Sequence, residues 1–317
     1  MSNEIMKRWS VEDLERLVIY KQQGLTWEKI NVHFPEQTPN SLRKTYYRYM
    51  DKDISTDNAA KVLILDLETA PILGYVWQLF DQNVALNQIH SDWYILSWSA
   101  KWLGSPETET MYEDQRNSPN IEDDSEILKG LWKLVDEADI ILTQNGKKFD
   151  EKKMNARFIL NGFKPTSSFR HIDTLQLAKA RFGFTSNKLE YMTSKLCTKY
   201  KKLDHAKFSG FKLWSECLKG NIEAWDEMKE YNRVDVLSLE ELYIKLRPWD
   251  KITPNFNVYH DHEENFCSCG SVDFRKNGFS YSNTGKFQRF TCNKCGAETK
   301  SKVNLLSKEK RKSLLKN

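Results

Sequence analysis

No apolar run in this sequence approaches the ~18 residues that a bilayer-spanning helix requires. The N-terminal stretch MSNEIMKRWS lacks the charged-then-apolar pattern of an export signal. Together these give the expectation of a soluble, cytoplasmic chain with no membrane partner. Neither sign of charge dominates: 48 Lys and Arg against 44 Asp and Glu leave a formal +4, which alone says little about a polyanionic partner. Histidine is scarce, and His33, His90, His171 and His205 show no ligand spacing, so they read as surface or satisfied core residues. Cysteine is scarce too, with six in all. Cys197 and Cys217 stand apart and read as ordinary buried residues. There is no internal repeat and no low-complexity block. An apolar fraction of 39% and an aromatic fraction of 12% exclude a disordered chain and can support a substantial core. With 317 residues, two or three domains are the natural expectation.

Pattern divides the chain into three regions. From Trp9 to Tyr49 the apolar spacing predicts three short helices, with Thr26 capping the second and Thr38-Pro39 opening the third. The polar stretch DKDISTDNAA reads as a linker. From Lys61 to Trp249 strands and helices interleave. VLILDLE, YILSWSAKWLG, DIILTQN and more weakly ETETMYE read as strands. DDSEILKGLWKLVDEA, EKKMNARFILNG, DTLQLAKARFG, NKLEYMTSKLC and a long segment from Asn221 to Leu246 read as helices. After Pro254 the chain becomes short, β-like and cysteine-bearing, and ends in a basic stretch whose one acid is Glu309.

Chemistry concentrates in separated acids. Asp66 and Glu68 end the first apolar strand at spacing i, i+2, which points both side chains to one face. Carboxylates beside Val62-Leu63-Ile64-Leu65 are costly unless a cation neutralises them. Asp150 follows the strand DIILTQN, in NGKKFD. Tyr231 and Asp235 are four residues apart on a helix, hence on one face. Four acids converging on one cleft would bind two hard cations, Mg²⁺ or Mn²⁺, which clamp the attacking and leaving oxygens of a phosphodiester. Asp66 would bridge the ions, Glu68 and Asp235 would complete the water-activating site, Asp150 would hold the second ion, and Tyr231 would orient the water. The bland alternative is a scatter of solvated acids.

The segments LDLET, NGKKFD and YNRVD resemble the three motifs of the DEDD superfamily of 3′→5′ exonucleases, in its tyrosine-bearing subgroup. The likeness runs from Lys61 to Trp249 and is nearest to exonucleases related to the proofreading domain of family B DNA polymerases, of bacterial and phage type. FTSNKLEYM and YNRVDVLSLEELYIKLRPW add to it. The resemblance implies an α/β fold with an RNase H-like mixed sheet flanked by helices. It implies catalytic and metal-binding roles for Asp66, Glu68, Asp150 and Asp235, with Tyr231. It also implies substrate contacts from Thr69 and Asn145, whose plainer readings are a strand-end cap and a loop amide. The activity implied is release of nucleoside 5′-monophosphates from DNA 3′ ends, single-stranded or at a duplex terminus. With no polymerase following Trp249, proofreading would serve a separate polymerase. Competing readings are a structure-specific nuclease or ribonuclease on the same site, and a catalytically silent DNA-binding or polymerase-tethering factor.

The flanks add two further resemblances. Trp9–Asp13, GLTWEKI and TPNSLRKTYYRY resemble a Myb/SANT-like helix-turn-helix, with Trp9, Trp27 and Tyr46 or Tyr47 as its core. Arg43, Lys44 and Arg48 of its third helix would meet DNA phosphates. A protein-binding module is the alternative, since Glu12, Asp13 and Glu15 make the first helix acidic. Near the other end, Cys267, Cys269, Cys292 and Cys295 form two knuckles suited to one structural Zn²⁺, and their surroundings resemble a zinc ribbon. The first knuckle departs from C-x-x-C by being C-x-C, which leaves His260 or His262 as alternative ligands. Lys286 and Arg289 on the hairpin, with the basic tail, could meet a phosphate backbone. The expected divisions are a helix-turn-helix module over 1–52, a nuclease domain over 60–250, a zinc ribbon over 258–300 and a basic tail over 301–317.

Overall fold

A computed structural model describes residues 9–50, 60–200, 207–259 and 265–315. The chain divides into two compact units, Ala60–Thr253 and a second made of Met1–Ala59 with Pro254–Asn317.

At the N-terminus lie α1 (Val11–Gln22), α2 (Trp27–Asn31) and α3 (Pro39–Met50). Their caps are side-chain hydroxyls. Ser10 Oγ accepts from Asp13 N at 3.1 Å, Thr26 Oγ1 from Lys29 N at 3.4 Å and Thr38 Oγ1 from Ser41 N at 3.1 Å, satisfying amides that a helix start leaves without partners. Leu17, Ile30, Phe34 and Leu42 are buried, with Trp9, Trp27 and Tyr46 packed against them.

Ala60–Thr253 is built on a five-stranded sheet of β1 (Val62–Thr69), β4 (Ile95–Trp102), β5 (Met111–Asp114), β6 (Ile140–Thr143) and β7 (Arg170–Asp173), in the order β5-β4-β1-β6-β7. β1 runs antiparallel to β4 and parallel to β6, so the sheet is mixed. A two-stranded pair, β2 (Leu73–Gly74) and β3 (Ile89–Ser91), lies in the connection between β1 and β4. The helices are α4 (Ser125–Glu137), α5 (Asp150–Leu160), α6 (Thr174–Arg181), α7 (Leu189–Leu196), α8 (Phe211–Leu218) and α9 (Ile222–Leu246).

The central strand divides its residues by parity. Leu63, Leu65 and Leu67 pack with Ile127, Leu128, Leu131 and Val135 of α4 and with Met154 and Phe158 of α5. Each fully buried aliphatic side chain contributes about 1.5–3 kcal/mol. Val62, Ile64, Asp66 and Glu68 therefore face the opposite way, toward the side on which α9 packs against β1 and β4. Across the strands, Lys101, Ser99 and Ser97 stand opposite Ile64, Asp66 and Glu68. The buried Lys101 ammonium meets Glu240 of α9 at 2.7 Å, which fixes that helix over the sheet. The two serines beside it keep the space around the acids small-walled. Asp124, fully buried, accepts from Arg157 Nε and Nη2, each at 2.7 Å, and from Ile95 N at 2.9 Å. It thereby joins the start of α4 to α5 and β4.

The C-terminal segment is a three-stranded sheet of β8 (Phe274–Ser282), β9 (Gly285–Cys292) and β10 (Glu298–Asn304), in the order β10-β9-β8, followed by α10 (Lys308–Lys312). β10 carries the sheet to Asn304, into the stretch read from sequence as a tail. Its alternating charged and polar side chains hide a strand whose backbone pairing with β9 supplies the order. Among the described residues, no helix is long and apolar enough to cross a membrane.

Candidate metal centre and cysteine cluster

Asp66 and Glu68 from β1 and Asp235 from α9 each offer a carboxylate oxygen, and these oxygens lie within 4.8 Å of one another. Asp150, the first residue of α5, flanks this triad. It is nearly fully buried, its Oδ1 accepts from Leu67 N at 3.2 Å, and its charge acts on both Asp66 and Glu68. Asp66 and Glu68 are half-buried by surface area but densely surrounded by protein. Burial is the largest cause raising the Asp66 carboxyl well above its usual range, followed by the charges of Glu68, Asp235 and Asp150. Burial, then Asp235 and Asp150, pushes Glu68 from 4.5 to about 8. Burial also pushes Asp150 from 3.8 to about 7, against the lowering effect of its hydrogen bonds from the backbone amides of Asp150 and Leu67. Acids that repel one another in this way suit cations, which would remove the repulsion. The donor set, oxygen only, is that of a hard divalent ion.

Two side chains absent from the sequence-based site steady the acids. Asn232 Nδ2 donates to Asp66 Oδ2 at 2.5 Å and is itself fully buried. The Trp214 indole of α8 donates to Glu68 and stacks edge-on against Tyr231, with ring centroids 6.0 Å apart. Asn232 is next to Tyr231 in the chain and three residues before Asp235, so helical spacing could have flagged it. Nothing in the sequence ties Trp214 to Glu68. The Tyr231 hydroxyl hydrogen-bonds Asp235. Burial is the main cause raising its phenol, with the nearby carboxylates adding to it, so it stays protonated at neutral pH.

Thr69 closes β1 at a register shift, opposite Ile95. Asn145 has φ of 66°, a left-handed conformation that asparagine tolerates better than most residues, and its amide donates to Asp173 Oδ1 at 2.9 Å. Asp173 also accepts from Lys147 N and from Leu175 and Gln176 N at the start of α6, so one carboxylate pins both that helix and the loop leading to Asp150. His171 supports the same loop from below, hydrogen-bonded to Thr143 Oγ1 at 2.7 Å and Glu151 Oε2 at 2.6 Å. Gly146 lies so close that a Cβ there would stand 2.1 Å from Thr143 Oγ1. Gly146→Ala is therefore expected to shift the loop and lower stability by about 1–3 kcal/mol, with weaker Mn²⁺ binding. Urea titration and calorimetry check this; an unchanged midpoint and Mn²⁺ affinity would show that the loop reshapes freely.

The four late cysteines also meet, with all four sulfurs within 4.8 Å of one another. Cys267 and Cys295 sulfurs are 3.5 Å apart, and those of Cys269 and Cys292 are 3.6 Å apart. A tetrahedral thiolate cage with metal–sulfur bonds of about 2.3 Å has edges of about 3.8 Å, whereas a disulfide needs about 2.05 Å. Each knuckle closes on a left-handed glycine. Gly270 N donates to Cys267 O at 2.8 Å and Gly296 N to Cys292 O at 2.9 Å, with φ of 81° and 78°. The tight C-x-C pair thus reaches the cluster, and His260 and His262 lie outside the described residues. Cys197 and Cys217 are buried elsewhere. Lys286 Nζ lies 3.9 Å above the Phe279 ring, and Arg289 Nε donates to Asn277 O at 2.7 Å. Arg43 is half-buried on α3, while the side chains of Lys44, Tyr47 and Arg48 lie outside the described residues.

Residues 94–247 match the RNase_H superfamily. That match includes Asp150, Tyr231 and Asp235 and begins after the strand that carries Asp66 and Glu68. No curated protein matches the chain. Among solved structures, a family B DNA polymerase from the hyperthermophilic archaeon Pyrobaculum calidifontis aligns with 60% of this chain and 25% of its own, at 14% identity and a TM-score of 0.41. The chain thus spans about a quarter of that polymerase's length. With its mixed sheet, its flanking helices and this match, the central part of the chain is an RNase H-like domain.

Proposed function

We propose that the central unit is a metal-dependent 3′→5′ exonuclease that degrades DNA to nucleoside 5′-monophosphates. The observation that carries this reading is the meeting of Asp66, Glu68 and Asp235 within 4.8 Å, flanked by Asp150 and with the Tyr231 hydroxyl on Asp235. When bound, two Mg²⁺ or Mn²⁺ ions would supply charge neutralisation of the phosphodiester and a more acidic water. Asp66, Glu68, Asp150 and Asp235 hold those ions. Asn232 and Trp214 keep the first two carboxylates in register, and Asp235 aims the Tyr231 hydroxyl at the attacking water. The water oxygen bonds to phosphorus as the bond to the 3′ oxygen of the penultimate nucleotide breaks. The phosphate therefore departs on the 5′ side of the released nucleotide. Thr69 and Asn145 bound the place of the terminal nucleotide.

In this reading the cysteine cluster holds one structural Zn²⁺ in a ribbon. The N-terminal helices act as a Myb/SANT-like module, and both flanks add DNA affinity through Arg43, Lys44, Arg48, Lys286, Arg289 and the basic end. A bacterial or phage setting, with proofreading for a separate polymerase, is the role that the motif resemblance supports. A 5′-labelled oligonucleotide is expected to shorten one nucleotide at a time from its 3′ end with Mg²⁺ or Mn²⁺, and to stay intact with EDTA. Internal cuts without a ladder, or equal trimming in EDTA, would overturn the proposal. Parallel RNA and duplex substrates rank the competing nuclease classes.

A further inference from the structure

The connection from β1 to β4 is much longer than an antiparallel pair requires, and its apolar side chains point outward. Tyr75 is 69% exposed, Trp77 94%, Leu79 86%, Phe80 79% and Leu86 86%. Between Pro71 and Ser91, Asp81 is the one acid and there is no Lys or Arg, in a chain that is 29% charged. A contiguous apolar surface of this kind marks a binding site. The loop is held open by its polar residues. Gln88 Nε2 donates to Tyr75 O and Gln88 Oε1 accepts from Ala85 N, both at 2.9 Å, while Gln82 Oε1 accepts from Trp77 N at 3.2 Å. Tyr75 N donates to Gln88 O at 2.9 Å, closing the pair of short strands. The backbone is thus satisfied internally and the aromatic side chains are left for something else.

What that something is follows from the loop's attachment. It leaves β1 directly after Asp66, Glu68 and Thr69. Seven residues separate Glu68 from Tyr75, so the two lie within about 25 Å. Its far end returns through Ala70 N donating to Tyr94 O at 2.9 Å. Next to Tyr94, the Trp93 ring carries Lys153 Nζ 3.5 Å from its centroid. Lys153 is one helical turn after Asp150, on the same face of α5. Carboxylates, a cation and then a row of aromatic faces make a path suited to a strand whose end is at the acids, whose phosphate passes the lysine and whose unpaired bases meet the rings. Base–aromatic stacking is tolerant of sequence, because every base has a π-face.

Building on the exonuclease reading, we propose that the Tyr75–Phe80 loop binds unpaired bases a few nucleotides from the 3′ end, making the substrate a single-stranded or frayed terminus. Full-length protein and the Trp77→Ala/Phe80→Ala variant are compared on 5′-labelled oligothymidylate and on the p-nitrophenyl ester of thymidine 5′-monophosphate, which is too short to reach the loop. Both positions are highly exposed, so folding is expected to survive; a matching circular dichroism spectrum and Tm establish this. The variant is expected to lower the ratio of kcat/KM for oligonucleotide over ester by about tenfold or more. Oligonucleotide Kd in Ca²⁺ rises in parallel. A 2-aminopurine placed near the 3′ end loses its binding-induced quenching. Ile222→Ala, an exposed apolar position at the start of α9, controls for general surface change. An unchanged ratio and Kd would overturn the loop proposal and leave the patch to a protein partner. If the wild type cleaves neither substrate, it is the exonuclease reading that fails.

Discussion

Asp66→Asn is expected to lower metal-dependent trimming by about 10³-fold, the scale on which loss of one preorganised charge-stabilising group acts, while oligonucleotide binding in Ca²⁺ stays measurable. The same substitution should make the metal-free protein more stable at pH 8. The sign follows from the acids' environment. Glu68 is raised from 4.5 to about 8 and Asp150 from 3.8 to about 7, and Asp66 is raised in the same direction. Between the ordinary and the raised values the folded chain holds protons that the unfolded chain has released. Stability of the metal-free protein is therefore greatest below about pH 4 for these groups and is lost as pH rises through 7 to 8. Thermal scans in chelator should show Tm falling from pH 5 to pH 8 in the wild type, less in Asp66→Asn, with Mn²⁺ restoring it in the wild type alone. A wild-type Tm indifferent to both pH and Mn²⁺ would contradict the clustering of charge.

Stripping the cysteine cluster should have the larger effect on structure. The C-terminal sheet has little core: Cys267, Cys292, Ser271 and Thr291 are its buried side chains among the described residues. With so little apolar burial, a bound Zn²⁺ would supply about 10 kcal/mol or more of apparent folding free energy. Cys292→Ser, or a strong thiol-competing chelator, is expected to open Phe274–Asn304 to protease while Ala60–Thr253 keeps its own thermal transition. Mass spectrometry of the intact protein should report one zinc per chain, lost in the variant. Full protease resistance in a zinc-free preparation would mean that hydrogen bonding alone holds this sheet.

The strands and helices with strong periodicity were legible in sequence. The VLILDLE strand and the long helix through YNRVD fold as their patterns indicate, since burial of one face decides both. β7 was not legible: RHID is four residues long and mostly polar, and becomes a strand through its parallel pairing with β6. α8 was likewise passed over, and with it Trp214, whose hydrogen bond to Glu68 is made across the tertiary fold and leaves no trace in spacing. The acids were legible because i, i+2 on a strand and i, i+4 on a helix each fix a shared face. That Asp150 stands beside the triad rather than within it depends on its backbone bond to Leu67 N, which no pattern of residue types encodes. Asp173 illustrates the limit from the other side. It reads as a helix cap and is one, yet it also anchors Asn145 and Lys147.

The alternation along β1 makes residue count in that strand as consequential as residue identity. Exchanging one aliphatic for another at Leu63 or Leu65 is a matter of volume. Removing a single residue between Lys61 and Asp66 would turn the whole series over, sending two carboxylates into the oily layer beneath the sheet and three leucines toward the solvent-facing helix. Drift in this segment can therefore proceed by substitution but not by single-codon insertion or loss, and the reading frame of the pleat is inherited as strictly as the acids themselves.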